Sequence, residues 1–205
     1  MSASLVGSEM CIRDSEGFDE VATFEEAYNF AYYKDLIEYC GYQKEVDWVE
    51  FNIIMPSEVD EKTNRVADLV KQRYHLKNAE KTSKKTFIKK YAKQIFKLLD
   101  DAYGPLYGVV PYTDKLRKQI IDQFKLFISL DYMSLIVDEN DEPIAWGFAI
   151  PSLSEVINKC EGRLTLKSIF QILKAVKKPS QLDLALIAVK PGWHSKGVPA
   201  LIMRE

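Results

Sequence analysis

LDLALIAVKPGWHSKGVPALIM, residues 182–203, runs from an apolar segment through a glycine-bearing turn to the start of a helix. Residues 182–189 are almost all apolar, which is typical of a strand covered on both faces. Pro191 ends that strand, and residues 194–197 can turn the chain. The free N–H groups of the next helix then point to one place, where the helix dipole also favours negative charge. This arrangement predicts a site for a phosphate or a pyrophosphate.

Gly197 is the residue on which this prediction chiefly depends. Most pyrophosphate contacts in such a turn come from backbone N–H groups, and their geometry requires a residue that permits the bend. Pro199 removes one donor, but proline is tolerated in the first helical turn, so we expect only a weaker affinity. His194 can donate to a phosphate and Lys196 can add a charge, although both are also explained as exposed loop residues. A plain strand-to-helix connection that binds nothing stays open as well.

The corner Val189-Lys190-Pro191 and the turn from His194 to Pro199 resemble the acyl-CoA-binding motif of the GNAT acyltransferase superfamily. In that motif a V-x-P-like corner is followed by [Q/R]-x-x-G-x-[G/A]; here His194 replaces Gln or Arg, and Pro199 replaces Gly or Ala. The resemblance implies main-chain contacts to acyl-CoA from the end of the strand and a pyrophosphate cradle in the turn. The implied cofactor-binding residues are Ile187, Ala188, Val189, His194, Ser195, Lys196, Gly197, Val198, Pro199 and Ala200.

The predicted elements before Leu182 occur in an order that supports this resemblance. Two amphipathic helices come first, then two strands, then further helices; their ranges are 86–99, 113–128, 133–137, 144–150, 152–159 and 165–177. The acidic loop Asp138–Glu142 is predicted to be a hairpin turn, rather than a metal site or a catalytic pair. The fold class is therefore predicted to be α/β with a mixed sheet, in an order similar to that of a GNAT domain.

The chain before residue 57 is interpreted as two separate pieces. Residues 5–14, LVGSEMCIRD, resemble a translated transposase adapter used in DNA library preparation, so residues 1–15 are left out of the fold prediction. Residues 16–56 resemble the closing helix and strand of a first GNAT-like domain, with a helix over 23–40 capped by Gly41 and a strand over 46–55. Residues 57–205 are predicted to form a second GNAT-like domain, truncated after the pyrophosphate turn.

Composition and charge argue against several classes of protein. The 205 residues carry a net charge of −2, and the basic run Lys81–Lys97 is better explained as the solvated face of an amphipathic helix than as a nucleic-acid surface. No apolar run approaches the roughly 20 residues that span a bilayer. Cys40 and Cys160 lack the spacing of a zinc site or a disulfide framework, and two histidines are too few for a histidine-rich metal site. We expect a cytoplasmic protein that binds no nucleic acid, membrane or metal.

The resemblance implies an acyl-CoA-dependent N-acyltransferase with acetyl-CoA as cosubstrate and a small-molecule or peptide amine as acceptor. Proximity in a dry cleft, a general base and a general acid would supply the rate. The family's usual acid is a tyrosine on a helix that we expect beyond residue 205, so no catalytic residue is assigned. Asp183 is a candidate base, and Tyr132, Trp146 and Trp193 are candidate pocket residues, although packing explains these aromatic residues equally well.

Two alternatives of different class stay open. The replacements at His194 and Pro199 favour a non-catalytic CoA- or ligand-binding GNAT-like module. The chain as a whole also resembles bacterial tandem GNAT-like proteins, which allows an aminoacyl-transferring enzyme that uses charged tRNA, although the sequence contains no clear basic groove.

Overall fold

The structure is a computed structural model that describes residues 21, 23, 29–46, 49–54, 56–124, 129–161, 163 and 165–204, with the backbone alone for 123 and 124. Its strands form a four-stranded antiparallel sheet in the order β1-β2-β3-β4, and the described residues also form helices, which is compatible with the predicted α/β class. The predicted mixed sheet is wrong for the described strands, because they are antiparallel. The helices are α1 Tyr32–Tyr39, α2 Glu61–Arg73, α3 Lys84–Tyr103, α4 Asp114–Phe124, α5 Ser154–Lys159, α6 Leu166–Lys177 and α7 Pro199–Arg204. The strands are β1 Lys77–Asn78, β2 Met133–Val137, β3 Pro143–Pro151 and β4 Leu182–Val189.

The chain divides into two compact units. One comprises Met1–Ile54 with Pro151–Gln181, and the other comprises Met55–Ile150 with Leu182–Glu205. The second unit contains almost all of the sheet, helices α2, α3, α4 and α7, and the predicted phosphate turn. The predicted division into an adapter-derived segment, a first domain and a second domain stays a prediction.

In the first unit, helix α1 ends at the glycine that the sequence marks as its cap. Gly41 has a φ of +90°, and its N–H donates to the carbonyl of Glu38 at 2.9 Å. The N–H of Tyr42 donates to the carbonyl of Ile37 at 3.3 Å. These two bonds form a Schellman motif, in which a left-handed residue satisfies the last carbonyls of a helix. The helix is shorter than predicted, and residues 24–28 of the predicted range lie outside the described residues.

The predicted strand over 46–55 is wrong for the residues in that range that the structure describes, Val46 and 49–54, which have no strand assignment. Their apolar side chains are exposed, and Ile54 is 91% accessible. A strand is stabilised by pairing with a neighbour. None of the described strands pairs with this segment. The strand prediction was therefore incorrect, because it rested on β-propensity alone and the segment has no partner among the described strands.

Helices α5 and α6, also in the first unit, occur within two residues of their predicted ranges. A capping box opens α6: the N–H of Ser168 donates to Oγ1 of Thr165 at 3.1 Å, and the N–H of Thr165 donates to Oγ of Ser168 at 2.6 Å. These bonds satisfy two backbone donors at the helix start, which explains why the helix begins there.

In the second unit, β2 and β3 form the predicted hairpin, with Leu135 opposite Trp146 and Ile136 opposite Ala145. The connecting loop is organised by Asp138, whose Oδ1 accepts from the N–H groups of Asn140 and Glu142, both at 2.9 Å. An aspartate that bonds backbone groups of its own turn is the expected turn chemistry. The acidic residues of this loop therefore form a turn, as predicted.

Helix α3 presents an apolar stripe to the interior and its lysines to solvent. The buried side chains of the helix are Phe87, Tyr91, Ile95, Phe96, Leu98 and Leu99. The lysines of the helix lie exposed between these positions. The interpretation of the basic run as a solvated helix face agrees with this burial pattern.

A central cluster joins the sheet to α2 and to α7. Its buried members are Ala67, Val70, Leu76, Ile136, Ile144, Ala145, Val189, Val198 and Leu201. Helix α7 packs directly on α2 within this cluster. The chain immediately after β4 is therefore held by the same core that holds β2 and β3.

Strand β4 is only partly covered, which corrects the prediction of a strand buried on both faces. Leu184 is 58% exposed, whereas Val189 is 6% exposed. β4 is the last strand in the order of the described sheet, so it lies at an edge. An apolar sequence alone does not distinguish a covered central strand from an edge strand, because both are rich in the same residues.

Asp141 in the hairpin loop holds α3 to the sheet. The hydroxyl of Tyr91 donates to its two carboxylate oxygens at 3.1 and 3.0 Å, the ammonium of Lys90 contacts it, and that of Lys77 lies 3.9 Å away. The hydrogen bond from Lys90, with a smaller contribution from Tyr91, holds the pKa of Asp141 below its ordinary value of 3.8.

We expect D141N to be less stable than the wild-type chain at pH 7, by a difference that shrinks as the pH falls below about 4. A carboxylate whose pKa is lowered in the folded state stabilises the fold above its unfolded pKa and loses that effect as it becomes protonated. Urea unfolding of both proteins at pH 7, 4 and 3 measures the difference. The control is D101N, which removes an exposed carboxylate from α3. A difference that stays constant down to pH 3 would contradict this account.

Candidate functional site

Strand β4 leads into a turn, as the sequence predicts. Beyond Val189, the N–H of Lys190 donates to the carbonyl of Ile144 on β3 at 2.8 Å. The N–H of Trp193 then donates to the carbonyl of Lys190 at 3.0 Å and closes the corner. The last residues of β4 and the first residues of the turn are therefore fixed to the sheet.

The turn continues through a 3₁₀ segment, His194–Lys196, to Gly197, which has a φ of +78°. Helix α7 begins at Pro199. Proline is tolerated in the first turn of a helix, because a backbone N–H at that position has no acceptor within the helix. Six residues of this helix are described, and so short a helix has a weak dipole. Side chains must therefore contribute most of the positive charge at this end.

Gly197 lies against helix α2. A Cβ added at this position would be 3.0 Å from Cγ2 of Val70 and 3.2 Å from Cγ1 of Val66. The residue therefore needs to be glycine both for its left-handed backbone and for the close approach of α2. The sequence predicts the first requirement but contains no sign of the second.

Lys196 lies over two aromatic rings. Its Nζ is 4.0 Å from the ring centroid of Trp193 and 5.2 Å from that of Tyr74. The two rings meet edge to face at 5.3 Å. The guanidinium carbon of Arg73 is 5.6 Å from the Tyr74 ring. Cation–π contacts hold both positive side chains near the turn.

Lys196, Tyr74 and Arg73 line a cleft of about 250 Å³ between α2 and the turn, together with Val66, Leu69, Val70 and Ser195. Valine, leucine and tyrosine side chains make one part apolar, and two cations make the other part positive. Such a surface suits an anion that carries an apolar or aromatic portion, as a nucleotide diphosphate does. We call this the α2 cleft.

The structure separates the residues that the sequence grouped as cofactor-binding. Those accessible at the turn are His194, Ser195 and, in part, Lys196, Gly197, Pro199 and Ala200. Ala188, Val189 and Val198 are buried in the core and can offer main-chain groups only. Ile187 is half-buried on the strand. Of the whole set, only Ser195 and Lys196 line the α2 cleft.

Both main-chain groups of Ile187 are engaged by one side chain. The hydroxyl of Tyr103, at the end of α3, donates to the carbonyl of Ile187 at 2.7 Å and accepts from its N–H at 3.2 Å. The two residues are 84 positions apart in sequence. The end of α3 is thereby joined to β4 at the position where the sequence analysis expects acyl-CoA contacts.

A second group of polar side chains lies beside Tyr103. A guanidinium N–H of Arg117 donates to Oδ2 of Asp100 at 2.6 Å, and the backbone N–H of Tyr112 donates to Oδ1 at 3.1 Å. Burial raises the pKa of Tyr112, and the nearby Tyr103 and Asp100 raise it further. The group fixes the loop between α3 and α4 against the end of α3.

The other candidate residues are placed mainly as packing residues. Trp146 is buried and stacks on Phe148 with ring centroids 5.8 Å apart. Trp193 packs against the central cluster. Tyr132 and the candidate base Asp183 are half-buried. Neither Asp183 nor any of these three aromatic residues lines the α2 cleft.

Sequence reasoning missed Arg73, Tyr74 and Tyr103. Arg73 and Tyr74 lie at the end of α2, and Tyr103 directly precedes Gly104 and Pro105 in the sequence. No local pattern marks Tyr74 or Tyr103, because each acquires its role through a contact with a residue more than 80 positions away in the chain. Arg73 is held by its contact with the neighbouring Tyr74 ring.

The chain matches no protein-family model, no curated protein and no solved structure. Among the residues that the structure describes, no three or more His, Cys, Asp or Glu side chains are grouped so as to hold a metal ion. None of the helices in the described ranges has the length and apolar character needed to cross a bilayer.

Proposed function

We propose that the chain binds acyl-CoA and acts as a GNAT-type N-acyltransferase, with acetyl-CoA as acyl donor and a small-molecule or peptide amine as acceptor. The observation that carries the proposal is the α2 cleft, where two cations and a left-handed glycine turn meet at the end of an edge strand. A diphosphate would be held by Lys196 and Arg73, with Ser195 as a hydroxyl donor.

The order of elements supports the same proposal. Helices α3 and α4, the β2–β3 hairpin, helices α5 and α6, and β4 with its turn and α7 follow one another as expected for a GNAT domain. Order alone is weak evidence for function, because one arrangement of elements serves many chemistries. The cleft adds the chemical feature that an acyl-CoA site requires.

The proposed reaction is attack of a neutral amine on the thioester carbonyl. A C–N bond forms, the C–S bond breaks, the amine nitrogen loses a proton and the leaving thiolate gains one. Holding the two reactants together supplies much of the rate, and a main-chain N–H aimed at the carbonyl oxygen stabilises the charge that develops there. The edge of β4 near Ile187 is the proposed position of that donor.

The test is binding of acetyl-CoA to the wild-type chain and to two charge-removing variants. We expect saturating acetyl-CoA to raise the melting temperature, because a ligand that binds only the folded state stabilises it by mass action. K196M and R73M should each raise the dissociation constant about threefold to tenfold, since each removes one charge near the diphosphate while keeping an apolar stem. The loss should be larger at low salt, where screening is weak.

The matched control is K93M, which removes an exposed lysine from α3 and should leave the affinity unchanged. No rise in melting temperature at saturating acetyl-CoA would overturn the proposal. Equal losses in K93M, K196M and R73M would show a general charge effect and would remove the α2 cleft as the binding site.

A non-catalytic CoA-binding module is the second candidate. It is favoured by the contact of Tyr103, which occupies both main-chain groups of Ile187 beside the edge position proposed for the donor to the acyl carbonyl. Acetyl transfer to a panel of amines separates the two: binding without transfer supports the module, and transfer supports the enzyme.

A further inference from the structure

At the outer edge of β4, the hydroxyl of Tyr103 occupies a position where the amides of a ligand would fit. The N–H of Lys190 faces β3, and strand alternation therefore turns the N–H and carbonyl of Ile187 to the opposite edge. None of the described strands pairs with that edge, because β4 is last in the sheet order. The hydroxyl of Tyr103 bonds both groups, at 2.7 and 3.2 Å.

One hydroxyl here substitutes for an amide partner, since it donates and accepts at a single strand residue. The N–H and carbonyl of one trans amide point in opposite directions, but the pantetheine arm of acyl-CoA contains two secondary amides separated by two carbons, so the N–H of one and the carbonyl of the other can meet the same strand residue. We propose that Tyr103 is a latch on the acyl-CoA site: its hydroxyl and the two pantetheine amides compete for the N–H and carbonyl of Ile187. This inference rests on the proposed function, because it names what controls access to that site.

The surroundings of Tyr103 allow its side chain to leave without loss of the helix end. Tyr103 is half-buried and is the last residue of α3. The N–H of Gly104 donates to the carbonyl of Asp100 at 2.9 Å, and the carboxylate of Asp100 is held by Arg117. These bonds fix the end of α3 independently of the tyrosine hydroxyl, so rotation of the Tyr103 side chain about its Cα–Cβ bond breaks the two hydrogen bonds to Ile187 and leaves those of Gly104 and Asp100 in place.

The test compares Y103F with Y91F in the full chain. Both variants remove one hydroxyl from α3, and the hydroxyl of Tyr91 bonds Asp141 in the hairpin loop. We expect the dissociation constant of acetyl-CoA to fall about tenfold in Y103F, because the N–H of Ile187 then has no competing partner. It should not change in Y91F. Circular dichroism checks that each variant is folded.

A second ligand shows which part of acetyl-CoA is responsible for the change in affinity in Y103F. Adenosine 3′-phosphate 5′-diphosphate keeps the nucleotide and the diphosphate but lacks the pantetheine arm, so Y103F should not change its affinity. Hydrogen exchange gives an independent measurement: the amide of Ile187 should exchange faster in Y103F and become protected again when acetyl-CoA is added.

The outcomes separate the latch from the proposed function. Tighter acetyl-CoA binding in Y103F alone, with unchanged nucleotide binding, supports the latch. Equal affinity of wild type and Y103F for acetyl-CoA overturns the latch and leaves the proposed function standing. Weaker binding of acetyl-CoA to Y103F also overturns the latch, because it shows that the hydroxyl contacts the ligand. Absence of acetyl-CoA binding in all three proteins overturns the proposed function, and the latch with it.

Discussion

Replacing Gly197 with alanine should lower the free energy of unfolding by about 3 kcal/mol. An L-residue at a φ of +78° is strained by roughly 1–2 kcal/mol. The added Cβ would also lie 3.0 Å from Cγ2 of Val70, closer than almost all natural contacts. Overpacking of this kind costs about 1–3 kcal/mol, because the neighbouring side chain must shift within a filled core. Urea unfolding followed by circular dichroism measures the loss.

Gly192 provides a matched control in the same turn. It has a φ of +80°, but a Cβ there would have no atom within 4 Å. G192A should therefore show the backbone strain alone, about 1 kcal/mol, and the excess in G197A measures the contact with α2. Equal losses in the two variants would show that the close approach of Val70 has no energetic consequence.

The same comparison tests the α2 cleft. Gly197 follows Lys196 and lies against α2, which carries Arg73 at its end. Pushing α2 away from the turn would separate the two cations, so G197A should weaken acetyl-CoA binding more than G192A does. If G197A and G192A weaken acetyl-CoA binding equally, the loss comes from the backbone of the turn and not from a displacement of α2 at the cleft.

Replacing Leu201 with alanine should destabilise the chain by a similar amount, about 3 kcal/mol, which is typical of a leucine removed from a packed interior. Leu201 is 1% exposed and belongs to the cluster that joins α7 to α2 and the sheet. Helix α7 has only six described residues and would not be stable by itself. Its position therefore depends on this side chain, and thermal or urea unfolding measures the loss.

Met203 on the same helix serves as the control for this prediction. Its side chain is 49% exposed, so M203A should change the free energy of unfolding by less than about 0.5 kcal/mol. Similar losses in L201A and M203A would indicate that burial of Leu201 does not hold α7, because alanine favours a helix at both positions and helix propensity cannot account for either loss. The predicted anchoring of the turn by the core would then be wrong.

Local chemistry explains which elements could be predicted. The N–H of Leu116 donates to Oγ1 of Thr113 at 3.3 Å, and threonine is a residue that favours this capping position. Asp138 organises its hairpin, and Gly41 ends α1, through bonds that span only a few residues. These features are set by neighbouring residues, so the sequence contains all the information needed.

The segment around residues 49–54 shows the opposite case. Its residues favour a strand, but a strand also requires a partner, and pairing is a property of the tertiary structure. The burial of β4 was overestimated for a similar reason. The strand lies at an edge of the described sheet, and the apolar side chains of its first half are exposed. Composition predicts what a segment can form, but not what lies next to it.

Taken alone, the amino-acid sequence determined the α/β class, the hairpin, the apolar stripe of α3, and the passage from β4 through a left-handed glycine to a helix starting at proline. Each depends on the periodicity or backbone preference of residues close together in the chain. Only the tertiary structure decided that the ring of Tyr74 would meet Lys196 and that Tyr103 would bond Ile187. Those contacts join residues more than 80 positions apart, and their geometry follows from how α2 and α3 pack around β4 and its turn.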